Sequence, residues 1–213
     1  MYSMPSTQPS MAVGGSDSDN IFRSKNDIFF ACDITHTSAH KLIKLLKEIE
    51  NEYVQFSIDS KVDEIAYEKK YPTLSVSFKP KPILLHLTTY GGIIHAAFAI
   101  IDVIQSLKIP VHTIVNGYTA SAGTLVSIAG EKRFISKNSF MMVHELRGGF
   151  WGKHSEMREQ GCNLTKMMNH IILFYEKHSN GKLKSDVLTD ILSRDRDWDA
   201  SECLENGLVD EII

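Results

Sequence analysis

Strand and helix patterns alternate through the middle of this 213-residue chain. The apolar run "PILLHLT" (82–88) precedes the helical pattern "GGIIHAAFAIIDVIQSL" (91–107), and "VHTIVNG" (111–117) precedes "ASAGTLVSIAG" (120–130). Strands separated by helices at this spacing are typical of βαβ units and of a mainly parallel sheet. Ligands of such sheets bind beyond the carboxyl ends of the strands. We therefore look for function in the turns that follow each strand.

The flanking segments extend this pattern on both sides. They predict strands at 27–34, 132–136 and 139–145, and helices at 38–51, 153–179, 185–193 and 201–206. Residues 52–81 differ, because "YVQFSI" and "LSVSF" alternate like exposed strands around a charged stretch that ends at a proline. We expect an insertion here, with a hairpin-like excursion.

Length and composition favour one domain. A chain of this length that is 43% apolar can bury one substantial core, and we assign that domain to residues 26–213. Residues 1–25 are rich in Ser, Gly and Pro and lack the pattern of a secretory signal, which predicts a flexible N-terminal arm. No apolar run approaches the roughly 20 residues of a membrane span. We expect a soluble protein with no membrane partner.

Several classes of ligand find no support in the chain. The formal net charge is −3 without a long Lys/Arg run, so nucleic acid is not an expected partner. There is no Walker A sequence and no GxGxxG after a strand. His144 and Glu145 begin like an HExxH zinc motif, but position 148 is glycine, and His36 and His40 lack a third ligand nearby. No metal or cofactor is predicted.

The chain has three cysteines, Cys32, Cys162 and Cys203. They are odd in number, lack CxxC spacing and lie in apolar or helical contexts, so we interpret them as packing residues in a reducing compartment. This interpretation favours a cytoplasmic location.

The segment "NGYTASAGTLVSIAG" places Ser121 where a strand pattern becomes a helix pattern. A serine at such a junction is most commonly an N-cap. It can also be a nucleophile, because the free N–H groups and the dipole of a helix N-terminus favour developing negative charge. A nucleophilic serine needs a base, a group that orients the base, and donors for an oxyanion.

Candidates exist for each of these parts. Gly92 in "TTYGGII" and Ala122 can supply backbone N–H groups to an oxyanion, and His144, at the end of the strand pattern in "FMMVHELRGG", is the candidate base. Taken singly, paired glycines and a lone histidine are more commonly structural. Spacing alone does not choose the acid among three aspartates of "SRDRDWDASE": Asp195, Asp197 and Asp199.

Four segments in order resemble the proteolytic subunit of Clp proteases, the caseinolytic serine protease family. They are "TYGG", "TIVNGYTASAGT", "MMVHELRGGFWG" and "SRDRDWDASECLENGLVDEI". The resemblance runs from about residue 27 to 213, outside 52–81. The departures are Tyr90 in place of the family's proline, Asn116 in place of an apolar residue, Thr119 in place of alanine, and Glu145–Leu146 in place of Gln-Pro.

The resemblance implies roles for individual residues. It makes Ser121 the nucleophile, His144 the general base and Asp195 the residue that orients it, with the N–H groups of Gly92 and Ala122 as oxyanion hole. Counting back from "GLVDEI" aligns the family's acid with Asp195.

The remaining two aspartates are then left to structural tasks. Asp197 becomes a loop residue. Asp199 becomes an N-cap, with Glu202 three residues later for a capping box.

The resemblance also implies an architecture and an activity. The fold would be an α/β spiral of repeated ββα units, as in Clp proteases and crotonases, with a protruding handle made of a strand and the long helix from about 153. The activity would be serine endopeptidase cleavage of unfolded proteins or peptides inside a homo-oligomer of seven-membered rings, possibly stacked in pairs as a tetradecamer and fed by an ATP-dependent AAA+ unfoldase. Two alternatives stay open: a catalytically silent ring subunit, and a crotonase-like enzyme acting on acyl-coenzyme A.

Overall fold

The computed structural model describes residues 20–68 and 80–213. Within them, one eight-stranded mixed sheet carries helices along its length. The strands are β1 (Ile21–Ser24), β2 (Asp27–Phe30), β3 (Ile83–Thr89), β4 (Val111–Ala120), β5 (Lys132–Ile135), β6 (Phe140–Val143), β7 (Arg196–Asp199) and β8 (Glu211–Ile212). The helices are α1 (His36–Glu68), α2 (Ile94–Ser106), α3 (Ala122–Ile128), α4 (His154–His178), α5 (Ser185–Leu192) and α6 (Ala200–Glu205).

The sheet is mainly parallel, as predicted. Its order is β1-β2-β3-β4-β5-β8, and β6 pairs with the far end of β4 while β7 pairs with β6. The β1–β2 and β6–β7 pairs are antiparallel, and all other pairs are parallel. The α/β class and the helices expected between 91 and 206 are confirmed.

The core lies between the sheet and the helices that follow its parallel strands. Alternate residues of β3 (Ile83, Leu85, Leu87) are at most 1% exposed, and α2 buries one stripe: Ala96, Ala97, Ile100, Ile101 and Ile104. Each large aliphatic side chain buried in this way contributes about 1.5–3 kcal/mol to folding. The α3 helix is buried on all sides. Its first residue is therefore held in place by packing as well as by its connection to β4.

The predicted strand at "YVQFSI" is wrong, because residues 53–58 belong to α1. The partly buried residues here are Tyr53, Val54 and Ser57, which have helical rather than alternating spacing. A helix already formed upstream also extends at low cost, since propagation adds one hydrogen bond per residue. The second strand of the expected excursion, "LSVSF", lies outside the described residues.

The N-terminal boundary also needs correction. The sequence pattern placed residues 1–25 in a flexible arm, yet Ile21–Ser24 form β1 and pair with β2. Ile21 is 1% exposed, so this end of the arm belongs to the core. This segment becomes a strand because it pairs with β2, a tertiary contact that no local sequence pattern indicates. Residues 1–19 lie outside the described part of the chain.

Besides β1, the sequence pattern did not predict the short strands β7 and β8, and one predicted strand ends early. The charged segment "RDWD" forms β7 because β6 offers it an open edge, and its buried Trp198 fills the core. The strand expected at 27–34 ends at Phe30, after which Ile34 bridges to Gly92.

The three cysteines differ in environment. Cys203 is fully buried, and burial raises the pKa of its thiol to about 12. Cys32 is partly buried. Cys162 is exposed on α4, so its interpretation as a packing residue is wrong. None of the helices in the described part of the chain combines the length and apolar character needed to cross a bilayer.

Candidate active site

The first two candidate residues follow neighbouring parallel strands at one edge of the sheet. Strand β4 ends at Ala120, which pairs with Met142 of β6. Ser121 and His144 are the next residues beyond the two strand ends. The structure therefore brings the predicted nucleophile and the predicted base together, and both line one cavity of about 310 Å³.

The third candidate arrives at the same edge from the opposite direction. Strand β7 runs antiparallel to β6, and its first residue, Arg196, pairs with Val143. Asp195 and His144 are the next residues beyond this last pair. The fold thus brings the chain segments that contain Asp195 and His144 to the same edge of the sheet.

The backbone of Ser121 has φ 56° and ψ −129°, a region that residues with a side chain rarely occupy. Its N–H donates to the Met142 carbonyl at 2.8 Å, and its carbonyl accepts from Thr124 Oγ1 at 2.6 Å. The hydroxyl makes no capping hydrogen bond to α3. The common N-cap role of a serine at this junction is therefore not the role of this side chain.

The glycine pair lies directly against Ser121. Gly91 has φ +94° and Gly92 has φ +139°, both unfavourable for other residues. A Cβ atom on Gly91 would lie 2.6 Å from Ser121 Cβ, and one on Gly92 would lie 2.3 Å from the Ile34 carbonyl oxygen. Only glycine permits this approach of the two chain segments.

Two N–H groups are available in the cavity. Gly92 and Ala122 both line it beside Ser121. Neither N–H donates a hydrogen bond to another residue in the described part of the chain. The positions suit the predicted oxyanion donors, which must be unpaired before an oxyanion forms.

The imidazole of His144 has a buried nitrogen. Its Nδ1 is inaccessible to solvent and has no hydrogen-bond partner among the described residues. A buried polar atom left unpaired costs about 1–3 kcal/mol. The nitrogen therefore lacks the acceptor that a triad would supply.

The carboxylate of Asp195 is engaged elsewhere. It forms an ion pair with Arg147, which lines the cavity, and Asp195 itself does not line it. The structure brings Ser121 and His144 together but does not join Asp195 to His144.

The two neighbouring aspartates have structural partners. Asp197 lies in β7, not in a loop, and accepts a hydrogen bond from the Tyr118 hydroxyl at 2.8 Å. Asp199 caps α6 by accepting from the Glu202 N–H at 2.8 Å, and the Glu202 carboxylate accepts from the Asp199 N–H in return. The predicted capping box is confirmed.

Sequence reasoning missed three residues around the site. The first is Arg147, and its position three residues after the candidate base is a signal in the sequence for a cation near the site. Tyr118 ties β4 to β7, and burial first, then Asp197, raise the pKa of its hydroxyl. Tyr175 of α4 is 2% exposed and hydrogen bonds Thr124 behind Ser121. No local pattern marks these two contacts, which join distant segments.

A second, larger cavity of about 780 Å³ adjoins the first. Both are lined by Ile94, Leu146 and Arg147. The larger one also has apolar walls at Phe98 and Met167. The segment that contains Leu146 and Arg147 thus lies between the cavity of Ser121 and an apolar recess.

A comparison with protein families identifies the family of this chain. The family model described as Clp protease matches residues 57–213, which is 157 of the 213 residues. The match includes every candidate site residue and begins inside the segment expected to be an insertion. The chain belongs to the Clp protease family.

Proposed function

We propose that the protein is a serine endopeptidase that cleaves unfolded proteins or peptides through an acyl-enzyme. The observation that carries the proposal is the convergence of three chain segments, at the ends of β4, β6 and β7, on one edge of the sheet. These segments deliver Ser121, His144 and Asp195, and membership of a protease family adds independent support.

In the proposed mechanism, Ser121 Oγ attacks the scissile carbonyl while His144 Nε2 takes the hydroxyl proton. His144 then gives this proton to the leaving amine, and water enters to release the acyl group. Asp195 accepts a hydrogen bond from His144 Nδ1 in the reactive state. The N–H groups of Gly92 and Ala122 receive the oxyanion, and a donor of this kind is worth about 10²–10³ in turnover.

The proposal extends to an assembly in the cytoplasm. Seven subunits form a ring, rings stack in pairs around a chamber, and an ATP-dependent AAA+ unfoldase delivers the substrate, as the family membership suggests. The chain would adopt the spiral of ββα units, with α4 as the handle between rings. In support, residues 154–163 of α4 are exposed throughout in the single subunit.

A fluorophosphonate probe tests the proposal directly. We expect one adduct per chain under native conditions, located on Ser121 by intact mass and peptide mapping. Ser121→Ala should take no adduct and should not cleave a fluorogenic peptide, yet it should assemble as the parent does, because one hydroxyl beside a cavity contributes little to stability. A parent protein that assembles but never takes the adduct would contradict the proposal.

The second candidate function is that of a catalytically silent ring subunit. The observation in its favour is the unpaired Nδ1 of His144, together with the Arg147–Asp195 ion pair. A stable ring without peptide cleavage or adduct would establish this alternative. Hydrolysis of acyl-coenzyme A thioesters without peptide cleavage would instead indicate crotonase-like chemistry.

A further inference from the structure

One carboxylate near the candidate site has two candidate partners. Asp195 and His144 are the residues next to the last pair of β6 and β7, and Asp195 is ion-paired with Arg147. His144 Nδ1 remains buried and unpaired among the described residues. The imidazole thus lacks an acceptor, while the carboxylate of the candidate acid is paired with another side chain.

The ion pair is of a kind that exchanges easily. The side chains of Arg147 and Asp195 are 67% and 53% exposed. Exposed ion pairs are weak, since water and salt screen both charges and two long side chains must be held in place. A hydrogen bond from a buried imidazole is better shielded, so a bond to His144 would offset the loss of the exposed ion pair.

The backbone around these side chains is held on both sides. The Glu145 N–H donates to the Leu192 carbonyl at 2.7 Å, which ties the segment after His144 to the end of α5. The Tyr118 hydroxyl holds Asp197 at 2.8 Å, which ties down the start of β7. Asp195 lies between Leu192 and Asp197 in the chain, so its backbone is held on both sides while its side chain is half exposed and paired with Arg147.

The other arginines of this region have carboxylates of their own. Arg194 pairs with Asp190, and Arg196 pairs with Glu202. Arg147 lies on the rim of the cavity that contains Ser121 and His144. Among the described ion pairs, Arg147–Asp195 is the one that links a cavity residue to the candidate acid.

We propose that Arg147 is a positioning residue that competes with His144 for the carboxylate of Asp195 and so sets the fraction of molecules with an oriented base. This inference rests on the proposed function, because it assigns regulation to the same site. When Arg147 holds Asp195, the His144 tautomer is not fixed. When Arg147 releases it, Nδ1–H donates to Asp195 and Nε2 faces Ser121 as the acceptor.

The first test reads the imidazole without any reaction. Histidine labelled with ¹⁵N in the assembled protein reports the tautomer at alkaline pH. We expect Arg147→Gln to shift His144 toward the Nδ1–H tautomer, with slower exchange of that proton, and Arg147→Lys to resemble the parent. The shift should vanish when Asp195→Asn is added. A shift that survives in the double variant, or no shift at all, would overturn the proposal.

The second test measures the rate constant for fluorophosphonate adduct formation at Ser121. We expect Arg147→Gln to raise it by about twofold to fivefold, the range that an exposed ion pair supports. Arg196→Gln is the matched control, because Arg196 is next to Asp195, is 66% exposed and pairs with a different carboxylate. It should leave the rate unchanged. An equal or lower rate in Arg147→Gln would count against the competition.

The two tests separate this inference from the proposed function. If no variant takes an adduct but the tautomer shifts as expected, the proposed protease activity fails while the competition for Asp195 stands. If the parent takes the adduct and neither the rate nor the tautomer responds to Arg147→Gln, the activity stands and the role of Arg147 is refuted.

Discussion

The contact between Gly91 and Ser121 makes a quantitative prediction about stability and reactivity. In Gly91→Ala, the new Cβ would lie 2.6 Å from Ser121 Cβ, 2.8 Å from the Ala120 carbonyl oxygen and 3.0 Å from the Ala122 nitrogen. Two of these three atoms are backbone, so no flexible side chain can move aside. The segment from Ala120 to Ala122 must shift to admit the methyl group.

Gly117→Ala provides a matched control for the backbone term. Gly117 also has a positive φ of +72°, but a Cβ there would meet no atom within 4 Å. A left-handed backbone costs a residue with a side chain about 1–2 kcal/mol. Gly117→Ala should therefore lower the free energy of unfolding by that amount and leave Ser121 unaffected.

The Gly91 variant carries the same backbone cost and a steric cost besides. Forcing a methyl group into a filled space costs about 1–3 kcal/mol, so we expect Gly91→Ala to lower the free energy of unfolding by about 2–5 kcal/mol in all. We also expect the rate of adduct formation at Ser121 to fall at least about tenfold, because a displacement of the order of 1 Å can cost about 100-fold.

Urea denaturation of both variants, together with the rate of adduct formation at Ser121, tests whether Gly91 is packed against the nucleophile. Equal stability loss in Gly91→Ala and Gly117→Ala, with an unchanged rate in both, would refute the reasoning that the glycine pair is packed against the nucleophile. A loss of stability in Gly91→Ala without a change in rate would show that the strain relaxes away from Ser121.

Three further predictions concern stability. Burial alone would raise the pKa of Asp210, but the hydrogen bonds and the charge of Arg133 together lower it by more, so the net shift is downward. Asp210→Asn should cost about 1.5–3 kcal/mol at neutral pH; since the folded pKa is lowered, this difference should begin to shrink below about pH 4, near the unfolded value, as urea titrations at several pH values would reveal. Asp199→Ala removes the cap of α6 and should cost about 1 kcal/mol in urea denaturation without changing the adduct rate; a large rate loss would mean that Asp199 acts at the site. Tyr175→Phe leaves the Thr124 hydroxyl without its donor in a buried position and should lower the melting temperature, at a cost of about 1–2 kcal/mol; an unchanged melting temperature would contradict that hydrogen bond.

The parts of the fold that were predictable are those whose signal is local. The stripe of α2 repeats at helical spacing over 13 residues, and the alternation of β3 is bounded by a proline and two glycines. By contrast, β1 and β7 become strands because a neighbouring strand offers an edge. The six residues of "YVQFSI" fit both periods, and only the continuity of α1 decides between them.

The candidate site also has parts that could be predicted from the sequence and parts that could not. The turn residues around Ser121 and Gly92 could be predicted, because a strand-to-helix junction with small residues has few conformations. The partner of Asp195 could not. Its carboxylate pairs with the exposed side chain of Arg147, while His144 Nδ1 has no partner among the described residues, and screening and burial govern such pairings. No spacing in the chain encodes that balance.

The departures from the family pattern show which residues of the motif can be replaced without a change of the backbone. Asn116 stands where the family has an apolar residue, yet its amide is satisfied, with Oδ1 2.9 Å from His86 Nδ1 and Nδ2 2.8 Å from Ser136 Oγ.

Thr119 and Tyr90 are accommodated in a similar manner. Thr119 is buried and donates to the Leu87 carbonyl at 3.2 Å, and the ring of Tyr90 packs on Tyr118 at 5.3 Å. A polar side chain can replace an apolar one when neighbours supply its hydrogen bonds. No neighbour can remove the clash that a Cβ would create at Gly91. The glycine pair is therefore the part of this motif that side-chain rearrangement cannot replace.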